Sequence, residues 1–162
     1  MKLRCLFLIV LSVIHESAIA QRDSTFPLTV TVKLLNNYKQ KQSQFDIAVS
    51  LNNTRPKSIF VWLMTCSWSD NFEFSNDNFR IAGIPCDHNY PELVEIEPNG
   101  SKVYALTLNA NPNPLPWAKT DKLGLILIDD IYNAKFTGSN KYHTAMSDKS
   151  LWKIIWSNPL NL

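Results

Sequence analysis

Leu28, Val30, Val32 and Leu34 alternate with Thr29, Thr31 and Lys33, and Phe45, Ile47, Val49 and Leu51 alternate with Asp46, Ala48 and Ser50. A period of two sends successive side chains to opposite faces, so each stretch predicts a strand with one buried face. The polar links Asn36 to Ser43 and Asn52 to Lys57 carry the Asn and Pro that β-connections use. Ile59 to Met64 is apolar on both faces and reads as a central strand, and Leu123 to Ile128 is a second continuous apolar run. Val94 and Ile96 face opposite to Glu95 and Glu97, and Pro98-Asn99-Gly100 then turns the chain into Tyr104, Leu106 and Leu108. Trp152, Ile154 and Trp156 alternate with Lys153 and Ile155, and Phe79 with Ile81 marks a weaker strand.

This makes about eight strands with turn signals between them. No stretch of ten or more residues carries an i, i+3, i+4, i+7 apolar face, so strands do not alternate with helices as a parallel α/β sheet demands. Only the segment around Tyr142 to Met146 suggests a short helix. The expected fold class is therefore all-β: an antiparallel, immunoglobulin-like β-sandwich. It is not an antibody domain, whose bridge joins strands B and F across the core, because Cys66 and Cys86 lie close together in sequence.

The first twenty residues change the picture. Lys2 and Arg4 precede the apolar run Leu6 to Ile14, which is too short to span a bilayer, and Ala18 and Ala20 flank Ile19 in the small-residue pattern that signal peptidase accepts. A signal peptide at 1–20 and one mature domain at 21–162 are expected, with a secreted or periplasmic destination. No later run reaches the ~20 apolar residues of a membrane span. The only cysteine near the cleavage site is Cys5, at the wrong place for a lipid anchor.

The chain holds 16 Lys and Arg against 14 Asp and Glu, and removal of Lys2, Arg4 and Glu16 leaves a near-neutral mature surface. Nucleic acid as a partner is not supported, since phosphate binding needs a concentrated basic patch. Cys66 and Cys86 are the cysteines left after processing, and in an oxidising compartment they are expected to pair. The rival is a metal site of Cys66, Cys86 and His88, which lacks the paired spacings that hold zinc. Gly83, Gly100, Gly124 and Gly138 are isolated, so no phosphate-cradling loop exists. Counting from Asp70, the glycine and glutamate positions of a calcium loop hold Ser75 and Ile81. No cofactor or metal is implied. Asp129 and Asp130 follow an apolar run, where paired carboxylates serve as acid and base, bind calcium or simply end a strand in water.

Chemistry concentrates in Cys66 to Pro91, where Trp68, Phe72, Phe74, Phe79 and Tyr90 stand among Asp70, Asn71, Asn76, Asp77, Asn78, Asp87 and Asn89. Aromatic faces beside short amides and carboxylates are what a sugar ring uses, stacking its C–H face while its hydroxyls are hydrogen-bonded. Trp68 and Tyr90 are the expected anchors, with Asp70 and Asn71 as polar partners. The competing interpretation has the rings filling the core beneath a stapled loop.

The strings Met64-Thr65-Cys66-Ser67-Trp68, Cys86-Asp87-His88-Asn89-Tyr90-Pro91 and Ile96-Glu97-Pro98-Asn99-Gly100-Ser101 resemble uncharacterised secreted proteins of the Bacteroidetes kind. The resemblance implies an envelope or secreted location and an immunoglobulin-like β-sandwich. It implies no activity and transfers no catalytic residue. The function expected is a non-catalytic binding or interaction module with a glycan or an envelope protein as partner. One alternative is a small exported hydrolase using His88 or His143 with nearby carboxylates. Another is an inhibitor acting through the loop 109–122, where Pro112, Pro114 and Pro116 restrict the backbone and Trp117 supplies an anchor.

Overall fold

The computed structural model describes residues 26–35, 43–111, 121–128 and 139–160. Among these, nine strands and two helices follow one another: β1 Leu28–Leu34, β2 Gln44–Asn53, β3 Ile59–Met64, α1 Trp68–Asn71, β4 Phe72–Phe74, β5 Phe79–Ile81, β6 Pro91–Ile96, β7 Ser101–Ala110, β8 Leu123–Ile128, α2 Ser139–Ser147 and β9 Trp152–Trp156. A 3-10 turn at Lys149–Leu151 leads from α2 into β9. The strands form sheets in the orders β1-β2-β7-β5, β4-β8-β9 and β3-β6. Every pairing is antiparallel. The expected all-β, antiparallel fold is thus the fold of the chain. Among the described residues no helix is long and apolar enough to cross a membrane. Residues 1–20, expected to be a signal peptide, Asp129 and Asp130, and residues 112–120 of the proline loop, Trp117 among them, lie outside the described residues.

The alternating strands pack as their pattern dictates. Register pairs Val30 with Leu51, Val32 with Val49 and Ile47 with Leu106, so these side chains share one face and are buried there. They meet Phe72, Leu123, Leu125 and Leu127 of the other sheet in one apolar core. Burying each such side chain stabilises the fold by roughly 1.5–3 kcal/mol. The unbroken apolar run of β8 has its own cause: all six residues are buried. Its Ile128 is covered on the outer side by Met64 with Tyr142 and Ala145 of α2. The β6–β7 connection is the expected turn, with Asn99 at φ 52° and the Gly100 N–H donating to the Glu97 carbonyl at 3.0 Å. Asparagine tolerates that left-handed conformation better than other residues with a Cβ.

Between β3 and β4 the chain departs from the pattern. The side-chain amide of Asn71, buried at 1 % exposure, accepts from the Met64 N–H at 2.6 Å and donates to the Met64 carbonyl at 3.0 Å. A side chain thereby acts as the strand partner of the last residue of β3. The backbone makes one helical turn and re-enters as β4 beside β8, with Phe72, Glu73 and Phe74 opposite Leu125, Gly124 and Leu123. Removing the amide leaves a buried donor and a buried acceptor unpaired, each at about 1–3 kcal/mol. Asn71→Ala is therefore expected to lower unfolding stability by about 2–6 kcal/mol. Chemical denaturation would read this as a lower midpoint at unchanged slope; an unchanged midpoint would show that the pair contributes nothing.

Candidate functional site

The Cys66–Cys86 disulfide is formed, with the Cα atoms 6.0 Å apart. With both sulfurs bonded to each other, the zinc alternative built on Cys66, Cys86 and His88 falls. Closing a loop of this length stabilises by about 3 kcal/mol in the chain-entropy treatment. Asn89 adds to the staple: its Oδ1 accepts from the N–H groups of Cys66 and Ser67 at 3.2 and 3.1 Å, and its Nδ2 donates to Ser67 Oγ at 2.6 Å. The Thr65 N–H also donates to the Tyr90 carbonyl at 3.1 Å. The loop is thus seated against the start of α1.

The four residues expected to meet a ligand do not share one surface. Trp68 is half-buried, its ring 4.8 Å from that of Tyr104 and 6.5 Å from that of Phe72. It packs against the main core, so its role is the core-filling one. Asn71 is committed to Met64 inside the fold and offers no surface to a ligand. Tyr90 stands 53 % exposed on the stapled loop. Asp70 is exposed and lines a cleft.

That cleft, about 320 Å³ in volume, lies between α1–β4, α2 and the start of β9. Met64, Ile126 and Met146 supply apolar walls, and Tyr142 and Trp152 supply rings. Asp70, Glu73 and His143 bring the charged and titratable groups. Each is positioned by a local cause. Asp70 sits on α1, whose start is closed by the Asp70 N–H donating to the Ser67 carbonyl at 2.8 Å. Glu73 faces Gly124 across the β4–β8 pair. A Cβ at Gly124 would stand 2.8 Å from the Trp156 ring and collide with Ile154. The glycine therefore lets the β9 side chains lie flat over β8 beside Glu73.

Lys149 spans the rim, with Nζ 3.4 Å from Glu73 Oε1 and 4.9 Å from the centre of the Trp152 ring. An exposed pair of this kind contributes only about 0–1 kcal/mol, so its effect is to orient the groups. The 3-10 turn carrying Lys149 is capped by Asp148, which accepts from the Ser150 N–H at 3.0 Å and from Ser150 Oγ at 2.6 Å. Those bonds hold the Asp148 carboxyl below its ordinary pKa.

Two polar groups at the cleft are unusual. Trp152 Nε1 is buried and has no hydrogen-bond partner among the described residues. A buried donor left this way costs about 1–3 kcal/mol. Tyr142 packs its ring 6.3 Å from that of Trp62, and its phenol is pushed up to about 12, first by burial and then by the Asp70 charge. It stays neutral across the physiological range and so remains able to donate and accept.

Sequence reasoning missed Glu73, Tyr142 and Trp152 as site residues. A signal existed: Trp152 and Trp156 fall on one face of a strand, and Asp70 with Glu73 shares the spacing of one helical turn. Of the two histidines considered as bases, His143 lines the cleft, whereas His88 is exposed on the stapled loop. Comparison with known proteins finds no matching family model, no matching curated protein and no matching solved structure.

Tyr142 yields a pH dependence. Its folded pKa of about 12 exceeds the ordinary 10.0, so the unfolded chain releases this proton first as pH rises. Stability from this group is full below pH 10.0 and declines between there and about 12. Burial raises Tyr104 as well, so phenolate absorbance of the folded protein is expected to show a late-titrating fraction whose last part, near pH 12, Tyr142→Phe removes. Titration of every tyrosine near the ordinary value would contradict the burial.

Proposed function

We propose that this chain is an exported, non-catalytic binding module with an immunoglobulin-like β-sandwich, and that it holds a neutral saccharide in the cleft. Strand order supports the architecture. With β3 and β6 set aside, the seven remaining strands, lettered A to G in chain order, lie as A-B-E-D and C-F-G, the two sheets of the constant-type sandwich. The signal-peptide pattern at 1–20, the disulfide and the resemblance of the Met64 to Trp68 region to secreted Bacteroidetes-type proteins support export.

The observation that carries the ligand class is the make-up of the cleft, where the rings of Trp152 and Tyr142 stand beside Asp70 and Glu73 and the buried Trp152 N–H has no partner among the described residues. The indole can only donate, and the carboxylates can only accept. A ligand that satisfies both must accept and donate within one small frame. A sugar hydroxyl does both, and the C–H face of its ring suits Tyr142 and Met146. Lys and Arg side chains offer donors alone, and an anionic ligand would meet the two carboxylates.

The variant Trp152→Phe keeps a ring in place while deleting the N–H. Loss of a hydrogen bond worth about 0.5–1.5 kcal/mol should weaken glycan binding roughly 2–12-fold. The melting temperature of the free protein should hold or rise, since an unsatisfied donor is removed. Undiminished affinity would sink this assignment.

A second function has one observation in its favour: His143 shares the cleft with Asp70 and Glu73, as the hydrolase alternative requires. Cleavage products from incubated oligosaccharides, absent with His143→Ala, would favour it.

A further inference from the structure

Resting on the saccharide-binding function above, we infer that the cleft is one end of a longer groove and that its ligand is an oligosaccharide crossing the α1–β4 strip. A second hollow of about 290 Å³ lies on the other side of that strip. Ser69 and Glu73 line both hollows, so these two side chains form the boundary between the two spaces.

Size decides between one hollow and two. Small-molecule sites run from about 300 to 1,000 Å³. Each space alone stands near the lower bound, and the two together fall well inside the range. An occupant larger than one sugar ring therefore uses both.

The second hollow repeats the chemistry of the first. Phe74 and Ile81 give apolar surface, and Asp77 and Arg80 give an acceptor and a donor. Asn76 also lines it, but its amide is engaged, donating to Asp121 and accepting from the Asn78 N–H at 2.9 Å. Asp77 and Arg80 are both exposed at the rim. Acidic Asp70, Glu73 and Asp77 line the two hollows together with basic Arg80, and Lys149 pairs with Glu73, so both signs are present. A chain of neutral rings with hydroxyls on every edge can pair with both signs. A polyanion or a polycation would meet its own sign partway along.

The test uses the full mature chain and an array of defined neutral glycans graded from monosaccharides to hexasaccharides, the best binder then being titrated calorimetrically at each length. Affinity is expected to rise about tenfold or more between the shortest bound unit and the longest. The double variant Asp77→Ala/Arg80→Ala should abolish that gain while leaving the shortest ligand's affinity and the melting temperature unchanged. Affinity independent of length, or a double variant that binds the longest glycan as wild type does, overturns the groove and leaves the single cleft standing. Wild-type protein that binds no glycan at any length, or that prefers a lysine-rich peptide to all of them, overturns the saccharide assignment itself.

Discussion

The side-chain amide of Asn71 holding both backbone groups of Met64 is the interaction on which the half of the molecule around the candidate cleft depends. It ends β3 without leaving the Met64 backbone groups unpaired, and it does so with the last residue of α1, seven positions further along. The chain can then leave the β3–β6 pair and re-enter as β4 against β8. Asp70 and Glu73 flank the amide in sequence, so its position settles theirs. On the other side, the disulfide and Asn89 tie Cys66 and Ser67 to the loop that precedes β6. Segment 64–74 is thus anchored at both ends. A site built on so short an element needs such supports, because one turn of helix has little stability of its own.

The division of labour between the two faces of the molecule follows from the same arrangement. Strands β1 and β2 bury apolar side chains at nearly every inward position, and β7 adds Leu106 and Leu108. The outer side of β8 is covered by α2, a helix that leaves a cleft beside it, and the Trp152 indole N–H has no partner among the described residues. Native structures rarely leave a buried donor unsatisfied, and those that do so concentrate the exceptions at sites of function. The stable sheet and the incompletely satisfied cleft are two consequences of one fold.

Much of this was legible in the residues. Period-two alternation located β1, β2, β7 and β9, the apolar runs located β3 and β8, and Pro98-Asn99-Gly100 located a turn. The pairing of Cys66 with Cys86, now seen as a bond, followed from the expected oxidising compartment and the two cysteines left after the expected cleavage. Strand β4 and helix α1 escaped because three and four residues barely stand out from the Asn- and Asp-rich stretch around them; β5, equally short, registered only as a weak strand. Without an element to orient them, Trp68 and Asn71 could not be assigned an inside or an outside. Both turned inward, Trp68 against Tyr104 and Asn71 against Met64. Trp152 was visible as one of two same-face tryptophans. Its unpartnered N–H depends on how α2 and the 3-10 turn pack over β9, which no local pattern encodes.

The indole N–H proton of Trp152 reports on the central claim directly. In nuclear magnetic resonance spectra its signal can be assigned by its absence in Trp152→Phe, and then followed while an oligosaccharide is titrated. Formation of the missing hydrogen bond is expected to shift this resonance downfield and slow its exchange with water, in step with binding. A glycan that binds and moves other resonances while the Trp152 indole signal stays fixed would contradict the claim.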